Sequence, residues 1–417
     1  MNKQKIKQNA LILAWGLYDL ANQFFALNIV SLYFVRWVTI ERNLPEIFYS
    51  IAFGISTFLV AVSTPILGAI SDLLNRRMVF LIPLTLLSII FTMILGISEN
   101  IIVALIFFAI ANFGCQAAIV FYNALLANIA PKDKIGLVSG FGRMLGYSGA
   151  LLALYLIKPV VLKSGYQATF FPTGILFLIF ALPCMILIKD KNSSKAEINL
   201  FSFFNKEKIL KIFGAFKTTL FHSRNPDLVN FLKASFFGLC AVNVVIMFMS
   251  VYATLVFKLT ETQVINLVGF STLFAILGSF ISGYISDCIG ARKSLEAIFI
   301  LWMLALTLGA WAKDVTLYWF VGSLVGLTLG SIWTVLRALA VRLVPVEKMG
   351  EIFGLFNLVA YLSSIVGSLF WGLILLLLSF LEATGYRLAF FSLNLFFLLG
   401  FVFLRRFPGE EIKKTYP

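Results

Sequence analysis

Twelve apolar runs, each long enough to cross a bilayer as a helix, follow one another along this 417-residue chain. A membrane-spanning helix needs about 20 apolar residues. Read between charged punctuation, the runs occupy 11–38, 48–70, 78–97, 101–128, 137–162, 167–188, 228–257, 263–286, 294–311, 315–343, 353–379 and 386–404. Such a chain has no soluble solution. Its residues are 60% hydrophobic and 12% charged, where soluble domains have about 45–50% and ~25%. The expected fold class is an all-α polytopic membrane protein, with twelve transmembrane helices in two pseudo-symmetric six-helix bundles. The basic start, Met1 to Lys7, resembles a secretory leader, but the run behind it is too long for a leader's apolar core and reads as a retained first span.

The net charge of +14 sits between the apolar runs and forms no dense patch, which argues against nucleic-acid binding. Its distribution sets an orientation. With both termini on one side, that side's segments and adjoining span ends hold 23 Lys and Arg against 7 opposite, and Arg143, Lys233 and Arg337 lie deeper inside spans. Positive residues stay inside, so both termini are expected in the cytoplasm of a multi-pass protein of the cell (inner or plasma) membrane. The domains expected are a six-helix bundle over 1–188, a linker over 189–227 and a second bundle over 228–417. Within the linker, Phe201, Phe204, Ile209, Ile212 and Phe216 alternate with Lys206, Lys208, Lys211 and Lys217, a pattern suited to a helix lying in the membrane interface. Cys115, Cys184, Cys240 and Cys288 lie far apart, and His222 is the one histidine. No metal site, disulfide framework or cofactor is expected.

The two halves repeat each other. Gly68-Ala-Ile-Ser-Asp72-Leu-Leu-Asn-Arg76-Arg77, at the end of the second run, returns 215 residues later as Gly283-Tyr-Ile-Ser-Asp287-Cys-Ile-Gly290-Ala-Arg292-Lys293. Ala130-Pro131, Gly136 and Gly140 return as Val344-Pro345, Gly350 and Gly354 at an offset of 214. Parallel six-span repeats are how major facilitator transporters are built. The first repeat resembles that superfamily's signature G-x-x-x-D-x-x-G-R-[RK], with Asn75 in place of a glycine in the first copy and Ala291 in place of an arginine in the second. Glycines permit close helix contact. The two carboxylates can meet a cationic turn or a helix N-terminus, as a latch that holds one access state. Gly68, Asp72, Arg76, Arg77, Gly283, Asp287 and Arg292 are therefore candidate gating residues.

A narrower resemblance follows from the first run. Trp15-Gly-Leu-Tyr18-Asp19-Leu-Ala21-Asn22 resembles the W-x-L-Y-D-x-A-N opening of the UMF1 or Atg22-like branch. Tyr122-Asn123-Ala-Leu-Leu, Ile129-Ala-Pro131, the segment from Gly136 to Tyr147, Phe231-Leu-Lys-Ala234 and Tyr252-Ala253 resemble further parts of that family. The resemblance implies the major facilitator fold and, from its vacuolar members, amino-acid export. In span seven Cys240-Ala241 stand where the family has Asp-Gly, so an acidic group that could couple ions is missing there.

Charges inside a membrane are costly and mark function by default. Asp19, Asn22 and Gln23 share one helical face. The resemblance implies that spans one, four, seven and ten line a cavity, which adds Asn123, Asn243, Trp333 and Arg337 as candidate substrate or ion ligands. Arg337 is expected to meet a substrate carboxylate while Asp19 takes an amino group or a proton; the alternative is a structural pair of Asp19 with Arg337 or Lys233. Lys233 is expected to snorkel, and Arg143 to make a gating contact with headgroups or a neighbouring helix. No phosphate-cradling loop, nucleophile with a base or metal cluster suggests a pump or an enzyme. The expectation is a monomeric, alternating-access transporter of small molecules, with amino acids or related zwitterions exported and protons as candidate coupling ions. The alternatives are efflux of organic cations or drugs, or a non-transporting scaffold of the same fold.

Overall fold

The computed structural model describes residues 3–44, 46–190 and 226–406. Among these, twelve helices are long and apolar enough to cross a membrane: Ile6–Arg36, Ile51–Leu74, Met78–Leu95, Ile101–Ile129, Ile135–Ser164, Gln167–Leu187, Pro226–Met249, Asn266–Ile289, Ala291–Trp311, Val315–Leu343, Val346–Leu377 and Glu382–Arg405. They are spans one to twelve below. The protein is an integral, multi-pass membrane protein. The interfacial helix expected in the linker falls on residues outside those described.

Local chemistry explains where the helices start and stop. Asn100 accepts from the backbone N–H of Ile102 (2.9 Å) and opens span four. Asp314 does the same for Leu317 (2.7 Å) at span ten. Thr260 and Gln263 cap each other ahead of span eight, which satisfies donors that a helix start leaves open. Spans four and ten end at Ala130 and Val344, both extended (ψ 137° and 155°). Each precedes a proline, whose ring disfavours helical geometry in the residue before it.

The signature turns carry positive φ at matching places, Asn75 at 50° and Gly290 at 94°. Asn is among the few residues with a side chain that enter this region readily. The departure of the first copy from the signature's glycine thus preserves the turn.

By contacts the chain forms two compact units. One holds the residues up to Lys132, Phe141 to the end of span six, and Pro345–Asn357; the other holds Asp133–Gly140, span seven to Val344, and Leu358 onward. In the first, spans three and four, one and six, two and four, and three and six pack together. In the second, the corresponding pairs are nine and ten, seven and twelve, eight and ten, and nine and twelve. The repeat seen in the sequence is therefore a repeat of packing.

Span one departs from a uniform helix. After the α-helix Lys3–Phe25 come a π-helical stretch Ala26–Leu32, one α turn Tyr33–Arg36 and a second π stretch Trp37–Glu41. The sequence expectation was one uninterrupted span, because widening a helical turn by one residue leaves an apolar run apolar.

Candidate substrate and gating sites

In the first unit a polar centre is assembled where span one meets spans three, four and five. Span five offers a face without side chains. A Cβ at Gly142 would lie 2.4 Å from the Trp15 ring, one at Gly146 3.2 Å from the Asp19 carboxyl carbon, and one at Gly149 2.7 Å from the Leu20 carbonyl. This close approach seats Asp19 (4% exposed) with its Oδ1 3.5 Å from Arg143 Nη1. The Trp15 indole donates to the Tyr122 carbonyl (2.9 Å), and Trp15 and Tyr18 both stack on Tyr122, at 4.7 and 5.0 Å between ring centres. Tyr18 Oη shares a hydrogen with Thr85 Oγ1 at 2.5 Å. Cys115 Sγ lies 3.9 Å from Asn22 Oδ1, while Asn22 Nδ2 has no acceptor. Asn123 is buried and Gln23 half-buried.

Arg143, expected to contact headgroups or a neighbouring helix, lies beside Asp19 on span one, in the place considered for Arg337 or Lys233. Lys233 is exposed and lies over the Phe403 ring at 5.3 Å.

Arg337 belongs to the second unit and is deeply buried (2% exposed). Its Nε donates to Ser139 Oγ (2.9 Å) and its Nη2 to the Ser139 carbonyl (2.5 Å). The Ser139 hydroxyl in turn donates to the Thr334 carbonyl (2.9 Å). Asn243 donates to Ser363 Oγ (3.1 Å), and Trp333 is half-buried.

The signature carboxylates both cap helices. Asp72 accepts from the N–H groups of Gly350 (2.9 Å) and Glu351 (2.8 Å) at the start of the helix Met349–Leu377. Asp287 accepts from Gly136 and Leu137, both at 2.7 Å, at the start of the helix Ile135–Ser164. A carboxylate on a helix N-terminus meets both open donors and the positive end of the dipole. Glycine lets the backbones come close enough. A Cβ on Gly68 would lie 2.2 Å from the Gly350 carbonyl oxygen, and one on Gly136 2.4 Å from that of Gly283.

Each carboxylate also meets a cation. Arg77 lies 3.5 Å from Asp72 and donates to the carbonyls of Ala124 (3.2 Å) and Val346. Its burial lowers the guanidinium pKa, and Asp72 opposes that shift. Asp190 accepts from the backbone N–H of Arg77 (2.9 Å) and of Met78. Asp287 pairs at 2.5 Å with Arg342, whose second nitrogen donates to the Ser286 carbonyl (3.1 Å). Arg292 turns instead to Glu296 (3.1 Å) and to the Arg405 carbonyl (3.4 Å). Arg76 is half-buried.

Four contributors were not singled out from the sequence. Arg342 counted only toward orientation, Asp190 read as polar linker, and Ser139 and Tyr122 entered only through the family resemblance. An unpaired intramembrane cation asks for a partner, but the sequence does not say which of several is near.

The profile of the family described as "Vacuole effluxer Atg22 like" matches residues 32–414. The chain belongs to this Atg22-like family. An uncharacterized protein of Aquifex aeolicus is 28% identical to this Atg22-like chain over 390 residues, covering 93% of it and 94% of the relative. The uncharacterized MFS-type transporter YxiO of Bacillus subtilis is 25% identical, over 95% and 94%. Autophagy-related protein 22 of Kluyveromyces lactis is 26% identical over 67% of this chain and 59% of its own length. Among solved structures, the human organic anion transporter MFSD10 superposes with a TM-score of 0.73 over 97% of this chain and all of its own, at 15% identity. The proton:xylose symporter XylE gives 0.73 over 97% and 96%, also at 15% identity. A bacterial homologue of the iron transporter ferroportin gives 0.68 over 96% and 98%, at 15%. At such identities the likeness is one of fold. The Atg22-like chain has the twelve-helix major facilitator fold and is a membrane transporter of that superfamily.

Proposed function

We propose that this Atg22-like transporter moves small zwitterions, amino acids first among them, out of the cytoplasm by alternating access, with 1–188 and 228–417 as the moving halves, 189–227 as their linker and both termini cytoplasmic. The observation that carries this reading is the Asp19–Arg143 pair, a buried anion and a half-buried cation 3.5 Å apart on two helices. A zwitterion entering there exchanges one neutral arrangement for another, its ammonium taking Asp19 and its carboxylate Arg143. No net charge is brought into the low-dielectric interior, where an unpaired charge is costly. Protons remain the candidate coupling ions on this reading. Asn22 supplies a buried amide donor that has no acceptor. Arg337, held by Ser139, serves on this reading as the cation of the second unit. The caps of Asp72 and Asp287 hold one access state, joining span two to span eleven and span five to span eight, and release in the other.

The stack of Trp15, Tyr18 and Tyr122 beside Asp19 favours a second reading, an organic cation held by ring faces and one carboxylate. Efflux from proteoliposomes loaded with labelled amino acids, with and without a pH gradient, tests the first. Saturable loss is expected, weakened about ten- to hundred-fold in affinity by Arg143→Gln, the scale of one charge-assisted contact. No loss above empty liposomes from folded protein would overturn the amino-acid reading. Transport of a labelled organic cation that needs Asp19 and is indifferent to Arg143→Gln would establish the second.

A further inference from the structure

The second half of span one holds two π-helical stretches, Ala26–Leu32 and Trp37–Glu41, either side of a single α turn. A π turn closes its hydrogen bonds one residue later than an α turn, and such turns recur at functional sites. Since successive α-helical residues are about 100° apart, taking up or releasing the extra residue turns everything beyond it by roughly that angle. Leu32 (φ −127°, ψ −73°), the last residue of the first π stretch and the one before the α turn, lies outside the helical region. The break therefore has a defined place.

The surroundings of this segment are incompletely matched to it. Asn28 is fully buried and donates through Nδ2 to Thr173 Oγ1 (3.2 Å). The Thr173 hydroxyl already gives its hydrogen to the Thr169 carbonyl (2.7 Å). Reversing the amide would set oxygen against oxygen, so Asn28 Oδ1 is left without a donor. The Trp37 indole N–H, also fully buried, has no acceptor. Buried groups of this kind ordinarily find partners, and exceptions call for an explanation. One contact does hold the π register: Tyr49 Oη donates to the Val30 carbonyl (2.5 Å). Around it the contacts are mainly between rings, Phe34 on Phe108 (4.7 Å) and Trp37 edge-on to Phe170 (5.8 Å), with the Arg42 guanidinium over the Trp37 ring (5.0 Å).

We propose that the second half of span one is a register switch, in which the π turns rewind to α and rotate Tyr33, Phe34 and Trp37, opening and closing the end of the first unit beyond Asp19 and Asn22. Tyr49 is the pin of the π state, and Asn28 Oδ1 and Trp37 Nε1 are groups that gain partners in the rewound one. The proposal rests on the chain being a transporter and not on any particular substrate.

Hydrogen–deuterium exchange of the full-length protein in lipid nanodiscs tests it without a substrate. Amides of 26–37 are expected to exchange at least about ten-fold faster than those of 11–22 in the same span, a local opening well below global unfolding. Tyr49→Phe should raise exchange in 26–37 several-fold and leave 11–22 unchanged. Deleting the exposed Ser31 shortens the π stretch and should slow 26–37 to the rate of 11–22. Equal rates in the two halves of wild-type span one, or no response to Tyr49→Phe, would overturn the switch. If the deletion does not fold, the Tyr49→Phe comparison decides. Failure of amino-acid efflux would bear on the substrate alone and leave these rates untouched.

Discussion

Around Asp72 the cation comes from the turn itself, whereas around Asp287 it comes from span ten. The two copies of the signature cap helices in the same way, yet Arg77 is buried (3% exposed) and tied to Asp72, Ala124 and Val346, while its counterpart Arg292 lies half-buried in an i,i+4 pair with Glu296. The exits of spans six and twelve differ in step. Asp190 brings a carboxylate to the N–H groups of Arg77 and Met78; 215 residues on, Arg405 offers a carbonyl to Arg292. A repeated sequence thus kept the cap, which geometry demands, and changed the source of charge, which several neighbours can supply.

The comparison is tested most severely at the two arginines. Arg77→Met takes the cation from Asp72 and a donor from two carbonyls, and breaking a buried pair from one side costs about 3–5 kcal/mol. Arg292→Met removes a partly exposed pair of a kind worth ~0–1 kcal/mol. Denaturant unfolding in detergent, followed by helical signal, measures both, and equal losses would mean that the copies are energetically alike. A smaller effect is expected at the turns. Gly290 (φ 94°, ψ 145°) sits near a region open almost only to glycine, so Gly290→Asn should cost about 1–3 kcal/mol. Asn75→Gly should shift stability by less than about 0.5 kcal/mol, since Asn already tolerates its φ of 50° and only chain entropy opposes the change. Reversal of that order in thermal melts would show that the two turns differ in something other than backbone conformation.

Much of the fold could be read from the chain. Apolar length gave the twelve spans, and the 215-residue repeat singled out both capping carboxylates, while which helix start each one meets came only from packing. Partners across long separations were less legible. Asp19 and Arg143 were each conspicuous as intramembrane charges, but several cations could serve one anion, and only packing of the Gly142–Gly149 face on span one selects Arg143. The π stretches of span one left no mark, since hydrophobicity does not encode which carbonyl an amide chooses.

The glycine contacts have a consequence for how this protein can change over generations. Where Gly68 meets Gly350 the clash is reciprocal: a methyl on either would strike the other's backbone. Most packing defects can be repaired by shrinking the neighbour, but here the neighbour is already the smallest residue there is. No second-site substitution at the partner position can rescue a first one. The pair is an evolutionary dead end in the useful sense, and a lineage leaves it only by giving up the contact as a whole.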